Sequence, residues 1–588
     1  MAERPGLNLS EKLLIYIEKE RAAAWREALS SYELPVDERV DEGTCISGLR
    51  LLRFNGSELE LSVNENSSRF RAGDPVYLND GVNVMRGVPC QFLSYSPDDN
   101  LLTLRLDRFS RQEVKPSLLP SLGVVDARVF DLSRKRAEVV NSVLGGNDFT
   151  TLRSVLEGRH RIVSYRSDKE KAEGIVRTLK LNPSQKKAFI NGYSSSLALV
   201  QGPPGTGKTY LLASLAASLA ASGKKVLVCC FTHRAINNAL NKIVGSTPCR
   251  SIYKLCREFY VDDLAPGIRW NEHPRNLGLP DRGGFVVGAT PFGAWRLAGQ
   301  VPFDVVIFDE AGQLALDYSL MGMACATRYV FVGDHRQMPP VFVASHVDSV
   351  VSRSVFEHLF SSYPSVMLDV TYRMNQEINE FPSQHFYGGM LKCWQEAGGR
   401  RFSVKRRTQF WDILDPAQPS VFVEINHEGL RMRSPDEARL IAHLLVELVR
   451  EHGVSPGDMA VIAPFRAQVR EIRNQVAALC RKKGLKIGED LVIDTVERIQ
   501  GQEREVVIVS FASSDAQYLE NKIRFYFMPN RLNVAITRPR VKRILVGSKY
   551  AFRVKPEDLE NIRMVNVFKK LYRLTPRIDY TERVKQME

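Results

Sequence analysis

The chain has 588 residues, 44% of them hydrophobic and 25% charged, and 81 Lys and Arg against 67 Asp and Glu give a formal net charge of +14. A length of this size predicts about three to five domains, each with its own core, and excludes a disulfide-stapled mini-domain or a disordered tail. The basic excess leans toward a polyanionic partner, and nine scattered cysteines without a C-x-x-C pair read as reduced thiols, against a zinc or iron–sulfur cluster.

At the N-terminus, Glu3, Arg4, Glu11 and Lys12 stand where an export signal needs an apolar run, and no uninterrupted apolar stretch reaches the ~18 residues of a membrane span. The expected setting is the cytoplasm, or the nucleus in a eukaryote, with no membrane partner. Ser10 to about Leu29 has helical spacing, with Ser10 able to cap it. From Thr44 to Asp107, alternating segments such as Glu58–Val63 and Leu101–Leu106, broken at Asn55-Gly56, Asn79-Asp-Gly81 and Asp98-Asp-Asn100, predict a small antiparallel sheet or barrel. Helical spacing returns from about Asp126 to Leu156, so the barrel sits on a stalk of an outgoing and a returning helix.

After Leu181 come short continuous apolar runs, at 197–200, 226–231, 285–287, 305–308 and 329–332, as a parallel sheet buried on both faces requires. A second series, at 366–368, 421–423, 460–463, 491–493, 506–509 and 544–546, predicts a second α/β domain. The scheme is a stalk helix over 1–32, a barrel over 33–125, returning helices over 126–180, α/β domains over 181–364 and 365–555, and a helical tail over 556–588.

Gly202-Pro203-Pro204-Gly205-Thr206-Gly207-Lys208-Thr209 follows an apolar strand and opens a helix, the context of a phosphate loop. Its glycines let backbone N–H groups wrap phosphates, Lys208 reaches the β- and γ-phosphates, and the Thr209 hydroxyl suits Mg²⁺. Asp309 and Glu310 end a buried strand, Asp309 placed to hold Mg²⁺ and Glu310 to deprotonate an attacking water. Gln337, in a polar cluster ending a further strand, is a candidate γ-phosphate sensor. The guanine-reading N-K-x-D is absent, since Asn241-Lys242 and Asn521-Lys522 continue otherwise.

In the second domain polar clusters recur at strand ends: Thr371-Tyr-Arg373, Asp494 to Glu503, and Arg531 to Arg538. With Asn182-Pro-Ser-Gln185, Phe231-Thr-His-Arg-Ala235, Asp309-Glu-Ala-Gly-Gln313, Gly333 to Pro340 and Ala463-Pro-Phe-Arg-Ala-Gln468, they resemble, in order, the motifs of the superfamily 1B helicases, typified by the nonsense-mediated-decay RNA helicase and the replication helicase-nuclease. The resemblance runs from about Leu181 to Ser548 and implies two tandem RecA-like domains using ATP and Mg²⁺. It implies that Gln185 reads adenine, Tyr372 stacks on it, Glu503 bonds the ribose, and Arg373 and Arg538 are arginine fingers. For a single strand the candidates are Thr232, His233, Thr290, Pro291, Pro464, Phe465, Thr495 and Arg498, although a Thr or Pro at a strand end also serves as a turn or cap residue.

The stalk and barrel, notably Asp74-Pro-Val-Tyr77, resemble the module preceding the motor in the decay-type helicases. The chain departs from the family pattern at Glu497-Arg-Ile499, Pro539 and Asn237. The expected function is an ATP-dependent helicase moving 5′ to 3′, a monomeric motor on single-stranded nucleic acid, DNA favoured over RNA, with any nuclease supplied by a separate repair or defence partner. The alternative is an ATP-gated clamp or scaffold, acting on RNA or as the motor subunit of a nuclease complex, with little unwinding.

Overall fold

The computed structural model describes residues 7–587 apart from 65, 67, 98, 108–115, 246–250, 347, 486 and 489. Glu3, Arg4, Asp98 and Cys249, read above, lie outside the described residues. The chain divides into two compact units, one running to Val200, from Thr209 to Gly333 and from Pro339 to Val366, the other comprising Gln201–Lys208, Asp334–Met338 and the chain from Met367 onward.

The first unit opens with a helix over Leu9–Tyr32. Its cap is Asn8 and not Ser10: Asn8 accepts from the Glu11 N–H at 3.0 Å and the Glu11 carboxylate accepts from the Asn8 N–H at 2.8 Å, a reciprocal capping box. Leu13, Tyr16 and Ile17 on its buried face share one core with Val139, Val140 and Val143 of the returning helix Ser133–Gly145. That helix starts at Ser133, later than Asp126, because Val124–Ala127 is still a strand paired with Pro75–Asn79. Asp126 is buried there, held by Arg39 at 2.5 Å and Asn79 at 3.0 Å.

Between the helices lies a seven-stranded antiparallel sheet in the order Cys45–Ile46, Val124–Ala127, Pro75–Asn79, Val88–Ser96, Leu101–Leu106, Glu58–Ser62, Arg50–Phe54. Alternation turns Leu59, Leu61, Leu102 and Leu104 into its core.

The first α/β sheet has eight strands, ordered Arg269–Asn271, Ile252–Leu255, Phe285–Ala289, Lys225–Cys229, Val305–Phe308, Tyr329–Gly333, Leu197–Gln201, Ser365–Met367. Two of these were not legible as apolar runs, because Lys254 interrupts one and Arg269-Trp270 occupy the other. The segment around Val366, read above as opening the second series, pairs instead at the edge of this sheet.

The stalk is joined to this domain by polar contacts. Arg136 donates to the buried Asp317 at 2.6 Å, with its guanidinium over the rings of Tyr16 and Tyr318. Glu20 accepts from the N–H groups of Val343 and Ala344 at 3.0 and 2.9 Å and pairs with His346 at 2.6 Å. A buried carboxylate is tolerable only with partners of this number.

The second unit holds a six-stranded parallel sheet ordered Val492–Thr495, Met459–Ala463, Arg504–Ser510, Pro539–Gly547, Ser420–Glu424, Arg577–Asp579. The tail is therefore not helical throughout. Arg577–Asp579 extends the sheet, and Tyr580 and Val584 enter its core. In both α/β sheets the described pairings are parallel, as the expected tandem α/β domains require. Among the described residues no helix is long and apolar enough to cross a membrane.

Burial, the largest cause in each case, holds His160, His233, His335, His358, His443 and His452 below the ordinary histidine value of 6.5. Below 6.5 the unfolded chain binds protons that these folded groups refuse, so their contribution to stability is lost as pH falls. The melting temperature should drop between pH 7 and pH 5 in a thermal-shift series; a flat or rising profile contradicts this.

Candidate nucleotide and strand sites

The Leu197–Gln201 strand is buried along its whole length and releases the chain into the phosphate loop before the Lys208–Ala221 helix. Gly205 and Gly207 have φ of +72° and +78°, a region costly for any residue with a side chain. A Cβ on Gly205 would lie 2.5 Å from Arg373 Cβ and 2.6 Å from Thr371 Oγ1. The loop is shaped from within and without: Thr206 donates to Pro203 O at 2.8 Å, Thr371 to Pro204 O at 2.9 Å, and the Tyr372 N–H to Gly205 O at 2.8 Å. Lys208 Nζ donates to Gly202 O at 2.6 Å, folded over the loop it would serve. A glycine loop opening a fourteen-residue helix fits a polyphosphate, with N–H groups and the helix dipole facing the anion.

Gln337 donates to Asp334 at 2.8 Å and lies 3.5 Å from Gly202 O, which brings the expected phosphate sensor to the loop. Asp334 is also held by Tyr387 at 2.7 Å, and burial followed by this carboxylate pushes the Tyr387 hydroxyl far up. Tyr387, which in turn accepts from Asn533 at 2.8 Å, went unassigned in the sequence.

In the first unit, Asp309 and Glu310 follow the buried Val305–Phe308 strand. Asp309 is itself buried, with Oδ1 accepting from the Glu310 N–H at 2.9 Å. Glu310 has φ +51° and ψ +37°, left-handed for a residue with a side chain, a strain that concentrates at functional sites. Gln313 donates to its carboxylate at 3.2 Å. Thr209 and Asp309 carry a hydroxyl and a carboxylate, oxygen ligand types that suit a hard divalent cation. Gln185 forms a capping box with Asn182, its Oε1 accepting from the Asn182 N–H at 3.0 Å, so its carbonyl already has one partner.

Arg373 donates to Glu503 at 2.8 Å and to Thr537 O at 3.0 Å. Burial raises the Glu503 carboxyl, but Arg373, Arg540 and Arg538 more than offset it and hold the group below its usual value. The expected ribose ligand is thus the ionic partner of one expected finger. Arg538, 2% exposed, donates to Val534 O at 2.8 Å and Gln502 O at 3.2 Å. Tyr372 has Trp394 beside it, ring centroids 5.5 Å apart. Trp394 is a second, exposed aromatic that no motif marked.

The strand candidates separate into two kinds. Thr232 and Thr290 are N-caps, accepting from Ala235 and Gly293 N–H groups at 3.3 Å, and Pro291 is buried in the first turn of its helix, so its ring offers no face to a base. Phe465, 8% exposed, stacks with Phe525 and Tyr526 inside the core, which corrects its expected role as a stacking platform; Phe525 is the exposed ring of that cluster. Pro464 is half-buried, and Thr495 is buried at the start of a short helix. Arg498, Arg466 and Arg473 surround Asp494 at 3.9–4.0 Å, a cluster with two positive charges in excess. His233 is half-buried, and burial followed by Lys254 lowers it to about 3, so near neutrality it is an uncharged ring. Of the departures from pattern, Glu497 pairs with Arg531.

Two family models, each described as an AAA domain, match residues 180–384 and 351–550. The DNA replication ATP-dependent helicase/nuclease of Schizosaccharomyces pombe is 30% identical over 389 residues, 60% of this chain and 26% of that protein. Its Saccharomyces cerevisiae counterpart is 26% identical over 576 residues, 87% of this chain and 36% of that protein, and the human one 29% identical over 405 residues, 62% and 37%. The chain thus spans about a quarter to two-fifths of the length of the curated relatives it matches. Among solved structures, the Arterivirus nonstructural protein 10 helicase aligns with a TM-score of 0.36 at 13% identity, over 91% of this chain and 82% of that one.

Gly205→Ala puts a side chain at positive φ and against Arg373. It should weaken binding of a fluorescent ATP analogue at least tenfold, a change of about 1.4 kcal/mol or more, whereas Gly223→Ala, also at positive φ but in open space, should leave it unchanged.

Proposed function

For a chain that resembles the superfamily 1B helicases through both of its α/β domains, we propose an ATP-driven motor that binds single-stranded nucleic acid, hydrolyses ATP when the strand is bound and unwinds duplexes, on DNA and from 5′ to 3′. Residues 181–364 and 365–555 are the motor domains in this scheme, and the sheet on its stalk is an accessory module. The observation that carries the reading is Glu310, a carboxylate held in a left-handed conformation directly after the buried Asp309, at the carboxyl end of a parallel strand.

In the proposed reaction the loop from Gly202 to Gly207 wraps the phosphates, and Lys208 leaves Gly202 O for the β- and γ-phosphates. Thr209 and Asp309 would hold Mg²⁺, which neutralises phosphate charge. Glu310 takes a proton from the attacking water as oxygen bonds to the γ-phosphorus and ADP departs, Gln337 senses the γ-phosphate, and Tyr372 with Gln185 grips adenine. Arg373 stabilises the transferring phosphoryl after exchanging Glu503 for it, and Arg538 assists. Such guanidinium contacts contribute ~10³–10⁵ in rate. His233, Pro464, Thr495 and Arg498 are proposed to line the strand path, with Thr232 and Thr290 shaping it as caps. The chain's proposed partners are the strand and, for duplex processing, a nuclease activity.

Lys208→Ala should abolish nucleotide binding, and Glu310→Gln should keep binding while stopping turnover. Normal hydrolysis by Glu310→Gln would remove Glu310 as the base. Displacement assays on 5′- and 3′-tailed DNA and RNA duplexes test the motor, and strand affinity should fall with salt at a log–log slope of about −0.7 per phosphate contacted.

A second reading, an ATP-gated clamp with little unwinding, is favoured by the state of the fingers, since Arg373 is paired with Glu503 and Arg538 is bonded to backbone carbonyls. Strand-stimulated ATPase without displacement on any tailed substrate selects the clamp, and no stimulation by any strand rejects both readings.

A further inference from the structure

Two sequence features have no role in the motor reading: the Gly73-Asp74 turn of the antiparallel sheet, and Asn237, where Asp is frequent in the family the chain resembles. Both lead to Tyr260. Lys254, wholly buried, donates Nζ to Asn237 Oδ1 and, at 2.5 Å, to Tyr260 O. Asn237 Nδ2 donates to Tyr260 O at 3.1 Å and to Asp263, and Asn241 donates to Asp263 O at 2.7 Å. An Asp at 237 would accept from Lys254 but could donate to neither oxygen, and would set its carboxylate against that of Asp263. The amide is the group that satisfies all three neighbours.

This network fixes the backbone of Tyr260. The Tyr260 ring stacks on His233, with centroids 3.7 Å apart and planes 17° from parallel. Beyond it stands Gly73, where a Cβ would lie 2.5 Å from Tyr260 Oη and 2.8 Å from a Phe259 ring carbon. The turn bearing Gly73 is stitched to its sheet: the Gly73 N–H donates to Phe92 O at 2.8 Å, the Phe92 N–H to Asp74 O at 2.9 Å, and Gln91 to Gly73 O at 3.0 Å. Gly73 has φ +96°, so both backbone and space demand glycine.

We propose that Tyr260 is a positioning residue, clamped between the Gly73 turn and His233, that holds His233 in place for the single strand, so that seating of the antiparallel sheet sets strand affinity without that sheet touching the strand there. The inference rests on the strand role given to His233 above. His233 lacks charge near neutrality, so its value to a strand lies in ring placement, and its Nδ1 is buried with no hydrogen-bond partner among the described residues. The stack is therefore what fixes the ring's plane.

The test uses the full chain with ¹³C-labelled histidine, the His233 signal being assigned by its loss in His233→Gln. Stacking on Tyr260 should shift that signal upfield by ring current. Tyr260→Phe should keep the shift and the wild-type strand dependence of ATP hydrolysis. Tyr260→Leu and Gly73→Val should each return the signal to an unstacked position and raise the strand concentration for half-maximal ATPase about fivefold to tenfold. KM for ATP and strand-free turnover should not change, and the double variant should be no worse than either single one, because both break one contact.

A His233 signal unmoved in Tyr260→Leu overturns the proposal, as does one unmoved in a folded Gly73→Val protein. Equal loss in KM for ATP and in strand dependence marks general damage and also overturns it. If the signal moves as expected while His233→Ala leaves strand dependence intact, the strand role of His233 has failed, and the affinity claim with it.

Discussion

The constraint on which the candidate sites depend is burial of parallel strands on both faces. Leu197–Gln201, Val305–Phe308 and Tyr329–Gly333 have every residue buried, so their backbones can pair only with neighbouring strands and their side chains only with helices. Chemistry is left to the carboxyl ends, where the chain first escapes that covering. Thr232, Thr290, Glu310 and the phosphate loop all occupy such positions. Even the helix caps follow from this, because a chain leaving a buried strand and turning into a helix needs an acceptor for its first N–H groups.

Polar groups inside this framework are held by several partners each, as the cost of burying charge demands. Glu20 serves two amides and a histidine, Asp317 takes the Arg136 guanidinium, and Lys254 is satisfied by an amide and a carbonyl. Near the phosphate loop the same economy has a functional side. Arg373 is oriented by Glu503, so in the proposed reaction exchange for a phosphate oxygen would not require an arginine to be stripped of water at the moment of reaction.

Much of this was legible in the sequence, for reasons that differ by element. Long apolar runs bounded by polar clusters marked the central strands of both sheets, and glycine spacing marked the phosphate loop. Some strands at or beside the sheet edges were not legible. Ile252–Leu255 carries Lys254 and Arg269–Asn271 is mostly exposed, so neither has a hydrophobic signature, and Arg577–Asp579 is too short to show a period. Side-chain availability was equally hidden. Phe465 has the residue type of a stacking platform, yet only the three-dimensional neighbourhood shows its ring spent on Phe525 and Tyr526. Trp394 and Tyr260 were missed because each meets its ring partner, Tyr372 or His233, across a distance in sequence.

Glu20 also bears on where the first α/β domain ends. The stalk helix supplies Leu13, Tyr16 and Ile17 to the same core as the central strands, and its carboxylate holds the 343–346 segment just beyond the Gly333–Pro340 motif. Removing residues before 181 would therefore strip apolar cover from the core and leave two amides and an imidazole without their acceptor. In mechanical terms the stalk is a wall of that domain, and a piece able to keep the domain intact starts near Asn8, not near residue 181.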